Sequence, residues 1–130
     1  MKIVKIVFLA SLLAVGLACG YSSHSTTPPA AGTMPNITAL SPNSAPAGST
    51  GVVLTVNGTS FNGNATINWK GAALTTTHVS GNQLMTTIPD SDVATSGTAA
   101  VTVTNPGTPG GLYGGGTSPE TSNSMTFTIN

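Results

Sequence analysis

Apolar and polar residues alternate in short runs over the last two thirds of the chain. Val52, Leu54 and Val56 stand two apart, with Val53, Thr55 and Asn57 between them. Ala65, Ile67 and Trp69 interleave with Thr66, Asn68 and Lys70. Leu84, Thr86 and Ile88 form a third run, and Ala99, Val101 and Val103 a fourth. Met125, Phe127 and Ile129 alternate with Thr126, Thr128 and Asn130 at the end. Side chains two apart share one face of a strand. Each run thus has an apolar face and a threonine-rich face, the pattern of a half-buried antiparallel strand.

Turn signals separate the runs at Asn57-Gly58, Asn62-Gly63-Asn64, Lys70-Gly71, Ser80-Gly81-Asn82 and Asn105-Pro106-Gly107. Beyond the first 18 residues no helical stripe of useful length occurs. Asp90 to Thr95 predicts one short helical turn, with Asp90 or Ser91 as its N-cap. Short strands spaced by turns over residues 36–130 predict an all-β, immunoglobulin-like β-sandwich of about seven strands. An antibody-type Cys–Trp–Cys core is excluded, because that span has no cysteine.

The N-terminal pattern is different. Met1 to Lys5 carries two lysines, Ile6 to Ala18 is apolar except for Ser11, and Ala18 precedes Cys19, the chain's one cysteine. A basic start, an apolar run and a small residue at the cut describe a secretory signal peptide over residues 1–18. The run falls short of the roughly 20 apolar residues that span a bilayer. The stretch Val15-Gly16-Leu17-Ala18-Cys19-Gly20 resembles the lipobox of bacterial lipoproteins, with Gly16 where a leucine is usual. The resemblance implies cleavage before Cys19, acyl chains such as palmitate carried on that residue, and a membrane anchor. Gly20, where other lipoproteins can carry an aspartate, leaves the outer membrane of a diderm bacterium open as a destination beside the inner one. The alternatives are an exported protein cut elsewhere after Gly16, with Cys19 an incidental thiol, and an uncleaved anchor. A lone exported thiol is a reactive liability that acylation removes.

Residues 20–35 (GYSSHSTTPPAAGTMP) lack apolar periodicity and are rich in Ser, Thr, Pro and Ala. With Cys19 they read as a disordered linker over residues 19–35, reaching roughly 22 Å as a flexible coil. His24 has no carboxylate, cysteine or second histidine nearby and reads as a linker residue.

Removing residues 1–18 leaves 112 residues, enough for one domain and its tether. Lys70 then stands against Asp90, Asp92 and Glu120, a formal net charge of −2. Gripping phosphates takes several clustered Lys or Arg, so nucleic acid is excluded as a partner. Only 5% of the whole chain is charged, yet Val, Ile, Leu and Thr dominate, which separates it from low-hydrophobicity disordered sequences.

Several stretches together resemble the IPT/TIG domain family. Pro35-Asn36-Ile37-Thr38-Ala39-Leu40-Ser41-Pro42, followed by Ala47-Gly48, is similar to the family's opening. Leu54-Thr55-Val56-Asn57-Gly58-Thr59-Ser60-Phe61 is similar to its strand, Gly, x, x, Phe element. Ile67-Asn68-Trp69-Lys70-Gly71, Gln83-Leu84-Met85-Thr86-Thr87-Ile88-Pro89, Val101-Thr102-Val103-Thr104-Asn105-Pro106 and Ser122 to Ile129 follow in the family's order. The resemblance covers about residues 35–130. It implies an interaction role: such domains recur in surface receptors, bacterial surface proteins and polysaccharide-processing enzymes as spacers or docking modules. Gly58 and Gly71 fit tight turns, Phe61 is expected to plug one end of the sandwich, and Pro42 and Pro46 suit an edge strand. Residues 106–122 depart from the family in being long and glycine-rich, and read as a mobile loop with Leu112 and Tyr113 at its tip.

Acid–base chemistry needs a positioned titratable group with a partner in reach. His78, Lys70, Asp90, Asp92 and Glu120 are the candidates, and none has an evident partner in sequence. No serine lies in a GxSxG context. Asp90-Ser91-Asp92 lacks the glycine and later oxygens of a calcium loop. The chain therefore reads as a non-catalytic protein without cofactor or metal. Trp69 shares parity with Ile67, which favours the core over a recognition platform. Leu112 and Tyr113 are the candidate partner-binding residues, the partner being an unknown envelope protein or glycan. A carbohydrate-binding module and an accessory subunit of a glycan-processing enzyme are the alternative roles.

Overall fold

The computed structural model describes residues 29–112 and 114–130. The alternating runs form ten strands: β1 (Asn36–Ser41), β2 (Ser44–Ala45), β3 (Val53–Thr59), β4 (Thr66–Trp69), β5 (Ala72–Ala73), β6 (Thr76–Ser80), β7 (Gln83–Thr87), β8 (Gly97–Asn105), β9 (Glu120–Thr121) and β10 (Met125–Ile129). Seven of them are four residues or longer; β2, β5 and β9 are two-residue edge pieces. One sheet has the order β1-β3-β7-β6. The other runs β2-β10-β8-β4-β5, with β9 continuing along β8. The fold is an immunoglobulin-like β-sandwich.

Inward faces of the two sheets make one core. Leu54, Val56, Leu84 and Ile88 face Ile67, Trp69, Val101, Val103, Phe127 and Ile129, all buried. Trp69 and Phe127, its two largest buried side chains, meet with ring centroids 5.2 Å apart and planes at 59°. That tilted geometry suits the quadrupoles of two aromatic rings. Trp69 is 2% exposed, so it belongs to the core and offers no recognition platform.

The chain changes sheets early. β1 pairs antiparallel with β3, then β2 pairs in parallel with β10. Ser41-Pro42-Asn43 carries the crossing, where proline has no N–H to leave unpaired. Lys70 and Gly71 join β4 to β5 with φ of 50° and 88°. Two consecutive positive φ values make a type I′ turn, which matches the twist of the flanking strands.

Two sequence expectations need correction. Asn57-Gly58 is not a turn but the interior of β3. Glycine is required there because a Cβ at Gly58 would collide with the Asn36 carbonyl oxygen and the Phe61 ring. Phe61 itself is buried, with its N–H on the Gly81 carbonyl at 2.9 Å. The helical turn at Asp90–Val93 is 3-10, and its N-cap residue is Pro89, with no side-chain cap. Asp90 instead reaches across to accept the Gly51 N–H at 2.9 Å, tying this turn to the loop before β3. Val93, fully buried, pins it to the core.

Candidate functional site

The sandwich has two distinct ends. One gathers the start of β1, the end of β3, the β6–β7 turn and the end of β8. The other gathers the 3-10 turn, the β4–β5 turn and the start of β8. The glycine-rich stretch after β8 belongs to the first end.

That stretch folds back on itself as an arm. β9 pairs with the end of β8, Thr104 facing Thr121 and Asn105 facing Glu120. Thr108 bridges Thr117 antiparallel, and Gly111 bridges Gly114 through reciprocal N–H···O bonds of 3.0 Å. The threonine hydroxyls of Thr108 and Thr117 add a 3.1 Å contact. Glycine is forced at particular points. At Gly107 a Cβ would strike the Thr117 carbonyl, and at Gly116, with φ of 90°, the Thr108 carbonyl. Leu112, in the turn of this arm, is 93% exposed. Tyr113, its predicted companion, lies outside the described residues, as does Cys19.

The segment read as linker reaches this arm. Ala30 donates its N–H to the Gly116 carbonyl at 3.1 Å and accepts the Ser118 N–H at 2.9 Å, a parallel bridge to Thr117. At Gly32 a Cβ would collide with the Ser118 carbonyl. Pro35 is fully buried and Met34 is 63% exposed. Residues 30–35 are therefore docked on the domain, with the arm as their cradle.

Asn105 locks the arrangement, and sequence reasoning missed it by treating it as a turn former. It is 1% exposed. Its Nδ2 donates to the carbonyls of Thr33 at 2.7 Å and Ser60 at 2.8 Å, and its Oδ1 accepts the Asn62 N–H at 2.9 Å. One amide thereby satisfies three backbone groups from two segments. Asn123 does the same for one residue: its Oδ1 accepts the Ile37 N–H at 2.7 Å and its Nδ2 donates to the Ile37 carbonyl at 2.9 Å. No sequence pattern marks either asparagine, because their partners are distant backbone groups.

The titratable residues do not converge. Lys70 is in the β4–β5 turn, His78 on the exposed edge strand β6, Asp90 and Asp92 in the 3-10 turn, and Glu120 in β9. Glu120 accepts the Ser118 hydroxyl at 3.3 Å. Among the described residues no three His, Cys, Asp or Glu side chains stand together as metal ligands. An open groove of about 530 Å³ on the β3-β7-β6 sheet is lined by Val53, Thr75, Thr77, Met85, Thr86 and Thr87. Hydroxyls and methyls of that kind can hold a partner by packing and hydrogen bonds, and supply no general acid or base.

The IPT/TIG domain family model matches residues 35–129, from the buried proline before β1 to the last residue of β10. No curated protein and no solved structure matches the chain. Domains of this family are generally non-catalytic immunoglobulin-like modules that commonly serve as interaction or spacer units. The sandwich, its sheet order and that match agree, and the chain belongs to the IPT/TIG domain family.

Proposed function

We propose that this protein is exported, cleaved before Cys19, acylated there, and held at the cell envelope as a non-catalytic interaction or spacer module. The observation that carries the reading is the order of segments. An apolar N-terminal run closes on the chain's one cysteine, a short Ser/Thr/Pro stretch follows, and a single IPT/TIG domain fills the remainder. The two parts support each other, since an anchored domain with separated ionisable groups has presentation or contact as its natural work. Trp69 is buried and takes no part in a sugar-binding platform.

Metabolic labelling with a clickable fatty acid, followed by membrane fractionation, tests this directly. The wild-type chain is expected to carry label and to sediment with membranes. Cys19→Ser is expected to lose the label and either enter the soluble fraction or remain unprocessed. Normal cleavage and full membrane retention of Cys19→Ser contradict the anchor.

A further inference from the structure

Three of the four charged side chains among the described residues lie toward one end of the sandwich. Lys70, with its N–H on the Ala100 carbonyl, lies near the start of β8, and Asp90 holds Gly51 ahead of β3. Asp92 shares the same 3-10 turn. Asp90 and Asp92 are at the end away from the tether, and Lys70 lies toward that end, about 17 Å along β8 from Asn105. β8, nine residues long, separates the two ends by about 26 Å. Toward the tether, Glu120 is the one formally charged side chain among the described residues. Residues 105–118 contain no charge at all.

The two most exposed large apolar side chains among the described residues lie at the tether end, whereas Val53, half-buried by comparison, opens β3 at the other end. Leu112 on the arm and Met34 on the docked segment stand 93% and 63% open. A surface that holds leucine and methionine out and brings almost no charge loses little by leaving water. The chain also enters the fold here. Only the ten residues 20–29 separate Cys19 from the clasp at Ala30, at most about 40 Å when fully extended.

We propose that the tether end is a lipid-facing surface, on which Leu112 and Met34 seat in the interface of the bilayer that holds the Cys19 acyl chains. The proposal rests on the anchored reading above. Two side chains bind a membrane weakly by themselves, but the anchor keeps them at high effective concentration beside it. The sandwich then stands on the membrane with Lys70, Asp90 and Asp92 pointing outward, and the clasp between Ala30 and the arm sets that direction. Partners are met by the far end and the sheet faces, whereas the arm works against the lipid.

The test uses the acylated full-length mature protein on phosphatidylcholine–phosphatidylglycerol vesicles containing doxyl-labelled lipid. An environment-sensitive dye is placed on Pro109→Cys, an exposed arm position, or on Ser96→Cys, at the far end. The Pro109 dye is expected to shift blue and to be quenched, and the Ser96 dye to do neither. Adding Leu112→Asp is expected to lower the docked-to-undocked ratio roughly tenfold, the factor that about 1.4 kcal/mol of buried leucine supplies. Acylated, vesicle-bound protein whose two dyes respond alike overturns the lipid-facing surface alone. Mature protein without acyl chains on Cys19 overturns the anchored reading and this proposal with it.

Discussion

Asn105 shows how much of this fold hangs on one uncharged side chain. Its amide is buried among three backbone groups that have no other partner shown, two of them at the point where the docked segment and the β3–β4 loop meet. Leaving such groups unpaired costs about 1–3 kcal/mol each where water cannot reach them. Asn105→Ala is therefore expected to lower unfolding free energy by at least about 3 kcal/mol in urea titrations. Asn105→Asp should be at least as damaging, because it replaces two donated bonds with repulsion between carboxylate and carbonyl oxygens. An Asn105→Ala protein as stable as wild type would show that the bracket is dispensable. Phe127 makes the complementary case. Truncation to Ala removes the ring packed on Trp69 and is expected to cost about 3–5 kcal/mol by the same measurement.

At the scale of elements, glycine marks where backbone approaches backbone. Gly116 has a positive φ and faces the Thr108 carbonyl, so Gly116→Ala must strain the arm or open it. A non-glycine residue in the left-handed region costs about 1–2 kcal/mol before any clash is counted. Amide exchange at Ala30 and Ser118, whose N–H groups close the clasp, is expected to accelerate about tenfold or more. Exchange in β3 and β8 should hold. Equal rates at Ala30 in both proteins would detach the segment from the arm. The longer strands were legible beforehand because burial imposes a period of two: Leu54 and Val56, Ile67 and Trp69, Val101 and Val103 all point inward as their spacing requires. The clasp was not legible, since Ala30 and Thr117 meet through main-chain groups that leave no mark on side-chain pattern. Asn57-Gly58 misled for a related reason. The pair is a common hairpin turn, but here the glycine serves β1 and Phe61 crossing over it.

For the whole molecule, the core is made of carbon packing and main-chain hydrogen bonds. Residues 29–130 are accordingly expected to unfold in one cooperative transition, with a stability of about 5–15 kcal/mol. Adding chelator or reductant should leave the midpoint where it was, and a shift with chelator would reveal a metal requirement in Asp90, Asp92 or Glu120. The proposed tie between this domain and the envelope is Cys19, and that proposal has a direct reading in the mass of the mature N-terminal peptide. The account predicts that protein purified from membranes begins at Cys19 and carries the mass of acyl chains on it. A mature chain that begins elsewhere, with Cys19 removed or bearing a free thiol, would contradict it.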